Sequence, residues 1–198
     1  MDETDHPPGD GRSARRDRNR DAVLDAVIEL FSEDVNPSPE EVAVRSGLSP
    51  RSVYRYFEDH DGLVRSAIAR QLERAIPLFQ IARLGEGPLE GRVAAIVDSR
   101  VQLHDAVGDT ARAARHRAER TGPLADQVRT GRAAMDDQVA RQFAPELSAL
   151  EPALAEQRRD ALSLVLQFES LDYLRRDRGL SLEATRETLA GAVGALVR

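Results

Sequence analysis

Residues 41–57 read EVAVRSGLSPRSVYRYF, and the order of residue types predicts two short helices around a sharp turn. The small Ala43 falls where the helices cross. Gly47, four residues on, stands where the chain must turn through a left-handed conformation that is cheap only for glycine. Leu48 points back into a small core, Ser49 is a ready N-cap, and Pro50 suits the first helical position. Val53 and Tyr56 or Phe57 supply an inward face at helical spacing, leaving Arg51, Ser52, Tyr54 and Arg55 outward. Between Val42 and Phe57 there are three arginines and no acid. Any helix pair around a glycine explains Gly47 and Ser49. Only a helix-turn-helix, its second helix in a DNA major groove, also explains the acid-free face ending Tyr-Arg-Tyr-Phe.

The flanking residues extend this reading. A first helix is expected from Arg15 or Arg18 to Ser32, with Val23, Val27, Leu30 and Phe31 as its apolar stripe. Asp34–Pro39 is a turn. Ser38 should cap the second helix, with Pro39 first and Glu40 and Glu41 complementing the helix dipole. A fourth helix, from Asp59 or His60 to Ile76, carries Leu63, Ala67, Ile68 and Leu72 and should kink or end at Pro77. Ser49–Phe57, with the Asp-His-Asp-Gly-Leu helix start that follows, resembles the recognition helix of the TetR/AcrR-type transcriptional regulators. The helix VLDAVIELFSE and the chain length fit the same family. The resemblance is specific over Arg15–Ala75 and is one of layout beyond.

The stretch MDETDHPPGDGRSA, residues 1–14, is polar with a Pro-Pro-Gly break and should be a disordered tail. Arg12 is best read as solvated, whereas Arg15 and Arg18 are candidates for phosphate or minor-groove contact. On the reading helix, Arg51 and Arg55 share a face. Arginine paired to guanine O6/N7 is the commonest specific base contact, so these two are expected to read sequence. Tyr54 and Tyr56 are expected to hydrogen-bond phosphates and fix register. Ser49 and Ser52 lie at the same edge. The resemblance also implies phosphate contacts from Ser38 and from His60, where the family usually has lysine; capping explains Ser38 equally well.

The 198 residues suit one or two domains, with 41% apolar and 31% charged residues. Nothing resembles a membrane span, an export signal or a disulfide framework, so a cytoplasmic protein is expected. Net charge is −6, but residues 11–20 contribute +4 and residues 42–57 contribute +3, leaving −13 elsewhere. The polarity of that distribution favours a nucleic-acid partner over what the total suggests. Every one of the 28 basic residues is arginine.

From Pro77 the chain reads as an all-helical body, about nine helices in total, with Leu84–Gly91 as a linker. Apolar stripes mark helices over Arg92–Val107 and Leu124–Phe143, separated by a highly charged segment, Asp109–Arg120. A long helix is expected from Pro152 to Arg178. Its middle, ALSLVLQF, is apolar nearly all round and implies burial on both sides. Gly179 should end it and Ser181 cap a last helix containing AGAVGA. Two glycines inside a helix cost about 1 kcal/mol each against alanine, which close helix approach across a dimer would offset. Leu162, Val165, Leu166, Leu189, Val193 and Leu196 are the expected interface, and the resembled family pairs through the same two helices. Ordinary packing within the chain is the competing reading.

No catalytic constellation, phosphate loop or metal-ligand spacing occurs, so neither enzyme chemistry nor a cofactor is expected. Arg100 and His104, four apart in an apolar stripe, stand out. The resemblance implies a small-molecule pocket in the body. With Leu103, Met135, Val139 and Phe168, these two are candidates to recognise a polar or anionic group on an apolar effector. Snorkelling at the edge of the stripe is the alternative. The organisation expected is therefore a helix-turn-helix DNA-binding head over 15–76 and a regulatory, dimerising body over 77–198. Such a protein binds a near-palindromic operator as a homodimer; a helical ligand-binding or protein-interaction module that no longer reads DNA is the alternative.

Overall fold

A computed structural model describes residues 10–118 and 122–198, with side chains from residue 13 onward; the Pro-Pro-Gly break, the Arg12 side chain and Thr121 lie outside what is described. The described residues form ten α-helices and one π-helical turn, with no strand. The chain divides into two compact units: Met1–Leu72 with Asp109–His116, and Glu73–Gly108 with Arg117–Arg198.

In the first unit, α1 (Asp10–Leu30), α2 (Pro39–Ser46), α3 (Pro50–Tyr56) and the start of α4 (His60–Phe79) enclose a core. Val23, Val27, Phe31, Val42, Val53, Val64 and Ile68 are essentially inaccessible to water. Each such aliphatic or aromatic side chain contributes about 1.5–3 kcal/mol by leaving water. The first helix begins at Asp10, so residues 10–14 are helical rather than tail. Nothing after Gly11 breaks a helix, and the Ala/Arg-rich run favours one. Arg70 on α4 forks to Asp21 and Asp25 on α1, at 2.8 and 3.1 Å, pinning the two helices together. Pro77 does not stop α4, which runs to Phe79. A proline this near the end removes one hydrogen bond, and the helix closes a turn later.

The second unit has a core of Ile96, Val97 and Val101 from α5 (Leu89–Ala118), Val139 from α6 (Gly122–Gln142), Leu162 and Leu166 from α8 (Pro152–Leu166), and Leu189 and Val193 from α10 (Leu182–Leu196). The short α7 (Ala144–Ser148) links α6 to α8. Of the charged segment expected to separate two helices, Asp109–Ala118 is instead the last third of α5, and Glu119 and Arg120 lie outside the described residues. Charge alone does not break a helix, and Thr110, Ala111, Ala113 and Ala114 are buried. The long helix expected over Pro152–Arg178 is interrupted at Gln167, whose ψ of 160° is extended. α9 (Phe168–Asp172) and a π-helical turn (Tyr173–Asp177) follow. The interruption is held by side chains: Ser170 Oγ donates to the Leu164 carbonyl at 2.6 Å, and Gln167 Nε2 donates to Asp136 at 3.0 Å.

Ahead of α5, Gly85 lies at φ 79°, and a Cβ there would stand 2.8 Å from the Arg141 carbonyl, so only glycine fits. Its N–H donates to Gln142 Oε1 at 2.7 Å. The buried Arg92 then ties this loop down. It donates to the carbonyls of Gly87 and Gln142 and forms a two-pronged pair with Glu146.

Candidate nucleic-acid interface and body site

The turn forms as its residue types require. Gly47 ends α2 at φ 69°, and its N–H and that of Leu48 return to the α2 carbonyls. Ser49, extended at ψ 151°, accepts from the Ser52 N–H and so starts α3, with Pro50 at its first turn. Ser38 and Glu41 form a reciprocal capping box on α2: Ser38 Oγ accepts from the Glu41 N–H and donates to the Glu41 carboxylate. That bonding holds the Glu41 carboxyl below its ordinary pKa, the Ser38 backbone N–H being the main cause. The Ser38 hydroxyl is therefore already engaged in both directions.

Val53 and Phe57 point inward, while Arg51, Tyr54 and Arg55 are exposed. The exposed surface is less uniformly basic than the sequence suggests. Arg45 is paired with Glu29 of α1 and with Glu33 in the turn that follows it, at 3.6 and 2.7 Å. Arg55 turns back along its own helix: its guanidinium lies 5.1 Å over the Tyr56 ring and donates to the Tyr56 hydroxyl at 2.9 Å. Asn19 of α1 donates to the same hydroxyl at 3.2 Å. Asn19 first, then Arg55, lower the Tyr56 pKa. These residues line a groove of about 620 Å³ with Arg15, Arg16, Leu48 and Ser52. Arg16 of the same basic run lines it as Arg15 does; Arg18 is exposed on α1 but is not among the lining residues. His60 Nε2 pairs with Asn36 Oδ1 at 3.2 Å, which directs the imidazole toward the α1–α2 loop.

An all-helical chain with a capped helix-turn-helix of this geometry invites comparison with solved structures. A tetR-family transcriptional regulator from Streptomyces coelicolor superposes with a TM-score of 0.66 over 91% of this chain and 80% of its own, at 23% identity. The chain has the TetR-family fold. A transcriptional regulator from Rhodococcus sp. Rha1 superposes over 92% of this chain and 95% of its own, with a TM-score of 0.65 and 21% identity. No protein-family model matches the sequence, and no curated protein does either. Among the described residues, no helix of this TetR-fold chain is long and apolar enough to cross a membrane.

In the body, Arg100 does not snorkel. It is 2% exposed and reaches only neutral acceptors, Gln138 Oε1 at 2.8 Å and the Met135 carbonyl at 3.3 Å, with the Phe79 ring 5.8 Å away. Among the described residues its Nε has no partner. Burial pushes its pKa down to about 10, Asp136 partly opposing the shift, so the group remains charged at neutral pH. Gln138 in turn donates to the Phe79 carbonyl at 2.7 Å. His104, one turn further along α5, faces a different set: Asp172 at 3.4 Å and the Phe168 ring at 5.1 Å. Four of the six expected pocket residues thus fall into an Arg100–Met135 pair and a His104–Phe168 pair. Val139 is core and Leu103 is half-buried. Gln138 and Asp172, which complete the two groups, carried no signal in sequence because their partners lie 38 and 68 residues away.

The expected interface residues need correction. Leu162, Leu166 and Val193 are at most 1% exposed and sit in the core of their own chain, so they have no surface to offer a second copy; Leu189, 2% exposed, belongs to the same core but also borders an open groove. Val165 and Leu196 remain half-buried at its edge. A helical face of leucines and valines reads the same whether it meets its own chain or another. The apolar surface that is left open comprises Leu164, 70% exposed, and a shallow groove of Val165, Tyr173, Leu174, Thr188 and Ala192.

Proposed function

We propose that the protein is a DNA-binding transcriptional regulator acting in the cytoplasm as a homodimeric repressor of a near-palindromic operator. The observation that carries this is α3. It is capped by Ser49, anchored by Val53 and Phe57, and it exposes Arg51, Tyr54 and Arg55 beside a groove lined by Arg15 and Arg16. The relatives in fold are named as regulators, which supports the same reading. In a dimer, two such helices enter successive major grooves about 34–36 Å apart. The test is selection of bound duplexes from random DNA by the full chain, followed by affinity measurement across a salt series. A near-palindromic site, with affinity falling steeply as salt rises, is expected. A chain that retains no duplex at low salt overturns the proposal.

Pairing is assigned to the open face of Val165, Tyr173, Thr188 and Ala192. A Cβ added at Gly191 on α10 would meet nothing within 4 Å in its own chain, so a second helix has room to approach there. If that face is free, Gly191→Ala raises stability by about 1 kcal/mol through helix propensity. If it is the interface, the same change weakens the dimer, as sedimentation would show. The effector site is assigned to Arg100 and Gln138, with His104 at the adjoining turn. A small molecule binding there releases DNA only through unequal affinity for the two dimer geometries.

A further inference from the structure

We infer that Arg55 holds a backbone phosphate rather than reading a base. It forms, with Arg15 and Arg16, a seat for one phosphodiester whose floor is the Tyr56 hydroxyl. This rests on the DNA-binding reading and reassigns one residue of it. Arginine reads guanine by laying its guanidinium edge against O6 and N7, which needs a side chain extended off the helix. The Arg55 guanidinium instead lies against the Tyr56 ring at 5.1 Å and is hydrogen-bonded to its hydroxyl. The groove it joins receives Arg15, Arg16 and Asn19 from α1, and none of its lining residues is acidic.

The Tyr56 hydroxyl sharpens the chemistry. It accepts from Asn19 Nδ2 at 3.2 Å and from Arg55 Nη2 at 2.9 Å. With both lone pairs so used, its own hydrogen is left to be donated. The groove thus offers the Tyr56 O–H and three guanidinium groups as donors to whatever enters; the Ser52 hydroxyl that also lines it is paired with Ser49 at 3.0 Å. Phosphate oxygens only accept, and they carry the charge that three arginines would offset. A base edge mixes donors and acceptors and gains nothing from that charge. Asn19 never reaches the phosphate in this arrangement; it is a positioning residue that holds the hydroxyl. Base selection on α3 is left to Arg51, which is exposed one turn earlier and does not line the groove.

The experiment takes the duplex selected by the wild-type chain, its single-base variants, and duplexes with one methylphosphonate replacing each phosphate in turn. Arg55→Ala should weaken every base variant alike, by about ten- to a hundredfold, and should reduce the salt slope by about one. One methylphosphonate position should weaken the wild type yet leave Arg55→Ala indifferent. Arg51→Ala should instead flatten the ranking of base variants. Asn19→Ala and Tyr56→Phe should each weaken binding without altering the ranking. Combined, they should do no more than Tyr56→Phe alone, at unchanged melting temperature. If Arg55→Ala re-ranks the base variants, or no phosphate position becomes indifferent, the inference is overturned while the regulator reading stands. A wild type that binds no duplex overturns both. At matched ionic strength, inorganic phosphate should displace the duplex no better than sulfate. Strong selective displacement would overturn the assignment to the DNA backbone in favour of a free phosphate.

Discussion

Arg92 and Arg100 lie eight residues apart on α5, both almost wholly buried, and their surroundings could hardly differ more. Around Arg92 the guanidinium finds two carbonyls and a carboxylate, and the loop before α5 and the helix after α6 are fixed to each other through it. Around Arg100 it finds an amide oxygen and one carbonyl, and its Nε finds nothing among the described residues. A buried charge with its counter-ion in place is a strut. One with only the more distant Asp136 to offset it is held against its desolvation cost.

The largest expected effect is on the strut. Arg92→Ala should destabilise the protein by about 3 kcal/mol in urea unfolding, because it strands a carboxylate and two carbonyls. A loss below about 1 kcal/mol would erase the distinction. Next comes pH. Arg92 holds the Glu146 carboxyl below its ordinary pKa. The stabilisation from a depressed carboxylate is fully present above its unfolded value and disappears as pH falls through the folded one. The wild type should therefore lose stability below about pH 4.3, and Arg92→Met should lack that component. The smallest effect belongs to the other site. Arg100→Met should cost less than about 1 kcal/mol, or stabilise, since it removes a buried charge that no direct ion pair satisfies, for similar volume. It should at the same time abolish the response to effector in a DNA-release assay. A loss of 3 kcal/mol would make Arg100 a second strut.

What could be read from sequence was what is local. The cap at Ser38, the turn at Gly47 and the cap at Ser49 need only near neighbours in sequence, and each forms as expected. Gln167 lies in a run with neither proline nor glycine, and its extended conformation is held by Ser170 and by Asp136, 31 residues away in sequence. The identity of the residues cannot show that Arg45 is neutralised by Glu29 and Glu33 or that Arg55 bends toward Tyr56. Asp109–Arg120 looked like a break because it is charged, whereas charge by itself does not end a helix. Leu162 and Val193 looked like an interface because an apolar face does not state its partner.

The tyrosines have a practical consequence. The chain has three and no tryptophan, and they are not scattered. Tyr54 and Tyr56 stand on α3, and Tyr173 stands half-exposed on the open face of the body. Ultraviolet emission from the unmodified protein therefore arises at the two surfaces of interest. With single phenylalanine replacements, the signal from each can be followed separately, without any attached dye.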